Sequence, residues 1–195
     1  LVTQTDGSVL LIPEGFQETP RQSEAIIEIA PNEKPESVVR KTVSAYLVGY
    51  NVISLKTKNH RLDSAQRTAI KNFTRKMLVG TEIISDSSRE IVMKVLLGYP
   101  EISVQSALRR MCIISSSMHK DAITALKELD SDLANEVVDM DDEVDRFNLY
   151  IVRQLKAAVD DERIIQEIGL NTRRDCLGYR LITKAVERTA DHAVE

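Results

Sequence analysis

The sequence has no tryptophan, and only 4% of its 195 residues are aromatic. That leaves little with which to stack a nucleobase or a sugar ring. Its two cysteines, Cys112 and Cys176, lie far apart, which excludes a disulfide framework and points to buried thiols in a reducing compartment. The three histidines, His60, His119 and His192, are scattered, and no Cys/His zinc spacing exists. No stretch approaches 18 uninterrupted apolar residues, so no membrane insertion is expected. The glycines do not form a GxGxxG or GxxxxGK phosphate loop. No Glu-x-x-His pair of the kind that ferritin-like bundles use is present. Residue 1 is Leu, and no basic, apolar, small-residue signal pattern follows it. The expectation is a cytoplasmic protein, and a piece of a longer chain or its ordered part.

What is present is ample for folding. Hydrophobic residues make up 43% of the chain, too many for a disordered one. With 26 Lys+Arg against 30 Asp+Glu, the net charge of −4 argues against a wholesale nucleic-acid binder. The pattern divides near Pro100. Residues 1–22 contain the turn signal Asp6-Gly7, the apolar run Ser8 to Ile12 and a polar linker with Pro20. Residues 23–99 alternate in type. Strands are expected at Ala25 to Ile29 and Asn51 to Leu55, with a hairpin at Glu82 to Ser85 and Glu90 to Leu97. Helices are expected from Pro35 to Gly49 and from Asp63 or Ser64 to Gly80. The order β-α-β-α-β-β describes a small α+β module.

Residues 100–195 read as helix. Apolar residues step by three and four through Val104, Leu108, Met111, Met118, Ala122, Ala125 and Leu129. They do so again through Val137, Met140, Val144, Phe147, Ile151 and Leu155. A third stripe is read at Leu177 or Gly178, Leu181 or Ile182, Ala185, Thr189 and Ala193. Asp130-Ser131-Asp132 is the expected first turn, and Gly169 to Asn171 the second. The fold class is therefore mostly α: an antiparallel three-helix bundle preceded by a small α+β module.

Charge order within the bundle is uneven. From Glu128 to Asp145 there are nine acidic residues and no Lys or Arg. Like charges four apart on a helix repel, so solvent, nearby Arg residues or bound cations must compensate. A solvated helix start, where the macrodipole favours acids, accounts for such a run as well. Asp141 and Asp145 are four apart and stack on one helix face, with Asn148 and Val152 continuing the column. Glu187 and Asp191 repeat the spacing on the third helix. Either pair alone is ordinary surface decoration. Two pairs on adjacent helices can converge on one cleft, where hard oxygen ligands suit Mg²⁺, Mn²⁺ or iron.

The segment Asp141-Asp142-Glu143-Val144-Asp145-Arg146 resembles one half of the E(D)xxxD signature of the phosphate-uptake regulator (PhoU) family. Val186-Glu187-Arg188-Thr189-Ala190-Asp191-His192 resembles the other half, an E-R-x-x-D string. The resemblance covers about residues 100–195. It implies a non-enzymatic regulator of phosphate signalling and uptake whose carboxylates hold metal, with iron, zinc, manganese and magnesium all candidates. Carried over position by position, the metal ligands are Asp141, Asp145, Glu187 and Asp191. The implied partners are a phosphate transporter or a signalling kinase, and a homodimer is expected. One bundle is found where the family usually has two in tandem. The arrangement resembles an archaeal-type relative with an N-terminal AbrB-like domain, of which Gly7-Ser8-Val9-Leu10-Leu11-Ile12-Pro13 would be the tail. DNA binding, and with it a link to transcriptional regulation, would come only through that part.

Other candidates are weaker. His192 adjoins Asp191 but points about 100° away on a helix. Ser115, Ser116 and Ser117 have no His-Asp partner nearby in sequence. Arg174, Arg180, Lys184 and Arg188 give the third helix a basic side, read as neutralising the acids. Arg67, Lys71, Arg75 and Lys76 form a solvated helix face. The alternatives are a carboxylate-bridged metal-dependent enzyme and a purely structural, dimerising helical module.

Overall fold

The computed structural model describes residues 2–3, 9–10, 23–96 and 102–195. Strands β1 (Val2–Thr3) and β2 (Val9–Leu10) pair antiparallel. The Asp6-Gly7 turn, the linker up to Gln22 and the division at Pro100 lie outside the described residues.

A four-stranded sheet follows, formed by β3 (Glu24–Glu28), β4 (Val52–Lys56), β5 (Thr81–Asp86) and β6 (Glu90–Val95) in the order β3-β4-β6-β5. The parallel pair β3-β4 is joined by α1 (Pro35–Val48), and α2 (Ser64–Met77) links β4 to β5. Pro35 opens α1, where its missing N–H is not needed. Gly49 ends α1 at φ 109°, a conformation that a Cβ would strain. Asp63 and Gln66 form a capping box that starts α2. Ile53, Leu55, Ile91 and Met93 on the sheet meet Val38, Tyr46 and Ile70 on the helices, all fully buried. The expected β-α-β-α-β-β module is therefore present, with boundaries shifted by a residue or two in most elements.

The second half consists of α3 (Val104–Glu128), α4 (Ser131–Asp160), the short helix α5 (Glu162–Glu167) and α6 (Arg173–Val194). Helices α3, α4 and α6 pack as a bundle around Met111, Met118, Val144, Ile151 and Ala190. Asp130 starts α4 where the turn is expected: its Oδ1 accepts from the Asp132 and Leu133 backbone N–H groups, both at 3.0 Å. The residue before it, Leu129, sits at φ 54°, the one non-glycine in the left-handed region among the described residues.

The third stripe differs from the expectation. On α6 the buried residues are Cys176, Thr183, Glu187 and Ala190. Tyr179, Val186 and Ala193 pack beside them. Leu177, Leu181 and Ile182 point outward. Both faces of α6 are apolar, so periodicity alone does not choose between them. The inward face tolerates polar groups because each is served: the Thr183 hydroxyl donates to the Tyr179 carbonyl at 2.7 Å, and Glu187 is held by Lys184.

Arg153 joins the two halves. It is buried on α4, and its guanidinium donates to the carbonyls of Tyr46 and Gly49 and to Asn51 Oδ1. It also lies 4.8 Å over the Tyr46 ring. Carbonyls at the end of α1, where a helix leaves acceptors unused, are thereby satisfied by the bundle.

Candidate functional site

Caps at the helix starts fix how α4 and α6 face each other. The Asp130 cap starts α4. The Asp175 carboxylate starts α6 by accepting from the Asn171 and Thr172 N–H groups at 3.1 and 2.9 Å. Val144 and Ala190 are fully buried in the bundle core. Asp141 and Asp145 lie on α4 on either side of Val144, half-buried. Glu187 and Asp191 flank Ala190 on α6. Glu187 is buried and Asp191 half-buried. The expectation that all four would flank the apolar stripe is corrected for Glu187, which faces inward.

The four expected residues share one electrostatic field. Burial, then the charges of Asp141, Glu187, Asp191 and Asp142, push the Asp145 carboxyl up to about 6. Asp141 is raised by burial first, and then by Asp191, Asp142 and Glu187. Asp141 Oδ1 is buried and accepts no hydrogen bond, a state that costs about 1–3 kcal/mol. Asn148 Oδ1, further along the same column, is also buried and unpartnered, as is Arg146 Nε.

Much of the rest of the acidic run is neutralised locally. Asp142 pairs with Lys76 of α2. Glu143 pairs with Arg110 of α3 at 2.9 Å, and that guanidinium lies 5.4 Å over Phe147. Asp130 is used as a cap. Asp141, Asp145 and Asp191 have no cationic partner among the described residues, while Glu187 Oε1 accepts from Lys184 Nζ at 2.6 Å. Among the described residues no three His, Cys, Asp or Glu side chains close around a single point. The carboxylates are therefore neighbours in one field without forming a ready-made cage. The donor set is all hard oxygen, and the orphaned Asp141 oxygen is of the type that coordinates a divalent cation.

The lesser candidates are mostly engaged elsewhere. His192 is exposed, with Nδ1 3.2 Å from Glu195 Oε2. His119 is half-buried and not exposed as expected, because its Nε2 lies 2.7 Å from the Thr189 carbonyl of α6. Arg67 and Lys71 are occupied by Asp86 at 2.6 and 2.8 Å. Sequence reasoning missed Arg153. Its signal is a lone cation next to the apolar run Tyr150-Ile151-Val152, which a solvated helix face does not need.

The helices that carry the four carboxylates also carry the family match. The sequence model of the PhoU domain matches residues 108–195. That stretch, a little under half of the chain, is similar to the PhoU domain. It holds both carboxylate motifs. No curated protein and no solved structure matches the chain. Among the described residues no helix is long and apolar enough to cross a membrane.

Proposed function

We propose that the PhoU domain binds divalent metal through Asp141, Asp145, Glu187 and Asp191, and that metal occupancy tunes a phosphate-signalling contact with a transporter or kinase. The observation that carries this reading is the buried, unpaired oxygen of Asp141 within a field of four carboxylates, three of them without a cation. The other half-buried acids of the run, Asp142 and Glu143, each have a Lys or an Arg. A divalent ion would supply the missing positive charge and lower the carboxyl groups back to their ionised range. It would also relieve their mutual repulsion and draw the four together. Lys184 then competes with metal for Glu187. Any coupling to transcription runs through the N-terminal, AbrB-like part.

The test is metal analysis of the purified protein and of the Asp141→Ala/Asp145→Ala and Glu187→Ala/Asp191→Ala variants. Both variants are expected to lose bound metal. Retention at parental stoichiometry in both would remove the proposed site. A purely structural module is favoured by one observation, that among the described residues no three acids converge on a point. It requires a melting temperature indifferent to added Mn²⁺, Zn²⁺ or Mg²⁺, because a ligand held only by the folded state raises stability.

A further inference from the structure

Two surfaces of the chain are unusual for a monomer. The first is the tip where α3 turns into α4. Leu126 is 76% exposed and Leu129 is 87% exposed. Leu129 also occupies the left-handed region, which costs a residue with a Cβ about 1–2 kcal/mol and which Gly or Asn would adopt more cheaply. That conformation ends α3, with the Leu129 and Asp130 N–H groups both donating to the Ala125 carbonyl, but among the described residues little covers the side chain. Exposed Glu128, Asp130 and Asp132 surround it, against the single cation Lys127, so the tip is acidic on balance.

The second is a groove of about 500 Å³ at the other end of the bundle, between the end of α1, the last turns of α4 and the start of α6. Val48, Val152, Leu155, Val159 and Leu177 give it an apolar floor, with Leu177 67% exposed. Lys156, Arg173 and Arg180 rim it, against the single acid Asp160. It is concave, so it suits an inserted apolar knob better than a flat lipid surface. On α6 the basic residues Arg173, Arg174, Arg180, Lys184 and Arg188 are all exposed, while Glu187 is buried.

We infer that the acidic, leucine-tipped α3–α4 turn of one copy docks into the basic-rimmed apolar groove of a second copy. The two surfaces pair an exposed apolar tip with an apolar groove and a net acidic rim with a basic one, and they lie on one chain. Along α4 they are separated by about 40 Å at 1.5 Å per residue. Two bundles lying antiparallel therefore make both contacts at once, and the assembly closes as a two-fold dimer. Self-pairing of α6 against α6 is disfavoured, because it sets basic face against basic face. The inference does not depend on the carboxylate site. It concerns different residues and is tested in chelator.

The test is sedimentation equilibrium of the full chain in EDTA, from low to high micromolar concentration, with thermal melts alongside. The parent is expected to associate to twice 21.9 kDa, and more weakly as salt rises. Leu129→Asn is expected to weaken association at least tenfold while its dilute, monomeric melting temperature stays level or rises. A merely structural Leu129 would show the opposite pattern. Glu128→Lys/Asp132→Lys and Lys156→Glu/Arg180→Glu are each expected to be monomeric alone and to associate when mixed. A parent that stays monomeric throughout overturns the inference. So does a dimer that neither Leu129→Asn nor either charge reversal weakens, or reversed variants that fail to associate on mixing.

Discussion

The sharpest prediction concerns Asp145→Asn. Asp145 ionises near its ordinary value of 3.8 in the unfolded chain and at about 6 in the folded one. Above pH 6 it is charged in both states, and the folded state bears the whole cost of burial and repulsion. Below the unfolded value it is protonated in both, and the cost vanishes. Between these limits the folded state holds more protons, so stability rises as pH falls. The difference between the two values corresponds to roughly 3 kcal/mol. Because the group is half-buried and partly screened, about 1–2 kcal/mol is the better expectation. Asn keeps the shape and removes the charge. In EDTA at pH 8 the variant should therefore be more stable than the parent by about 1–2 kcal/mol, or about 2–8 °C in melting temperature for a chain of this size. At pH 4 the difference should largely disappear. With saturating metal the order should reverse, since only the parent gains the full binding energy. Urea titrations at pH 8 and pH 4, with and without metal, read all of this. A destabilised variant at pH 8 in EDTA, or a gain that persists undiminished at pH 4, would refute the electrostatic reading of the site.

Three further outcomes follow from other contacts. Lys184→Gln frees Glu187 from its internal cation and should tighten metal binding several-fold in a calorimetric titration; weaker binding would show that Lys184 organises the ligand instead of competing for it. Arg153→Ala removes the charged donor shared by the Tyr46 and Gly49 carbonyls and Asn51, and should cost about 3 kcal/mol by denaturant titration, with little rescue by Lys because the planar fork is lost. Gly178→Ala places a methyl group with nothing within 4 Å of it on α6, and should raise monomer stability by about 0.5–1 kcal/mol by the same method.

Much of the fold was legible where the physics is local. Pro35, Gly49, the Asp63 cap and Asp130 act through their own backbone neighbourhoods, so the sequence around each is sufficient to place an element boundary. The bundle seams of α3 and α4 were legible because each has a dominant apolar stripe, except at Leu129, which continues the α3 stripe in sequence but lies exposed where the helix has ended. Helix α6 was not, because it has two. Leu177, Leu181 and Ile182 outweigh Cys176, Thr183 and Glu187 in hydrophobicity, yet the second set faces inward. Choosing between them depends on what α3 and α4 offer opposite, and on whether Lys184 and the Tyr179 carbonyl can serve the buried polar groups. Arg153 was illegible for a similar reason: its acceptors are carbonyls about a hundred residues away, and carbonyls leave no mark in a sequence.

Four-residue spacing on a helix is rigid, so the sequence shows which carboxylates share a helix face; the fold sets the two pairs in one electrostatic field, although among the described residues no three converge on a point. The sequence did not show which acids are already paired, and that decides the chemistry. Nine acids between Glu128 and Asp145 look like one block of charge. In three dimensions Lys76 takes Asp142, Arg110 takes Glu143 and a helix start takes Asp130. Glu128, Asp132, Glu136 and Asp139 are exposed to solvent. What remains is Asp141 and Asp145, coupled to Glu187 and Asp191 across the helix pair. A run that served only for solubility would have no reason to leave these two half-buried acids uncompensated while pairing Asp142 and Glu143 between them. That selectivity favours a cation site over a solvated face, and it is why removing the Asp145 charge is expected to help the metal-free protein and to harm only the metal-bound one.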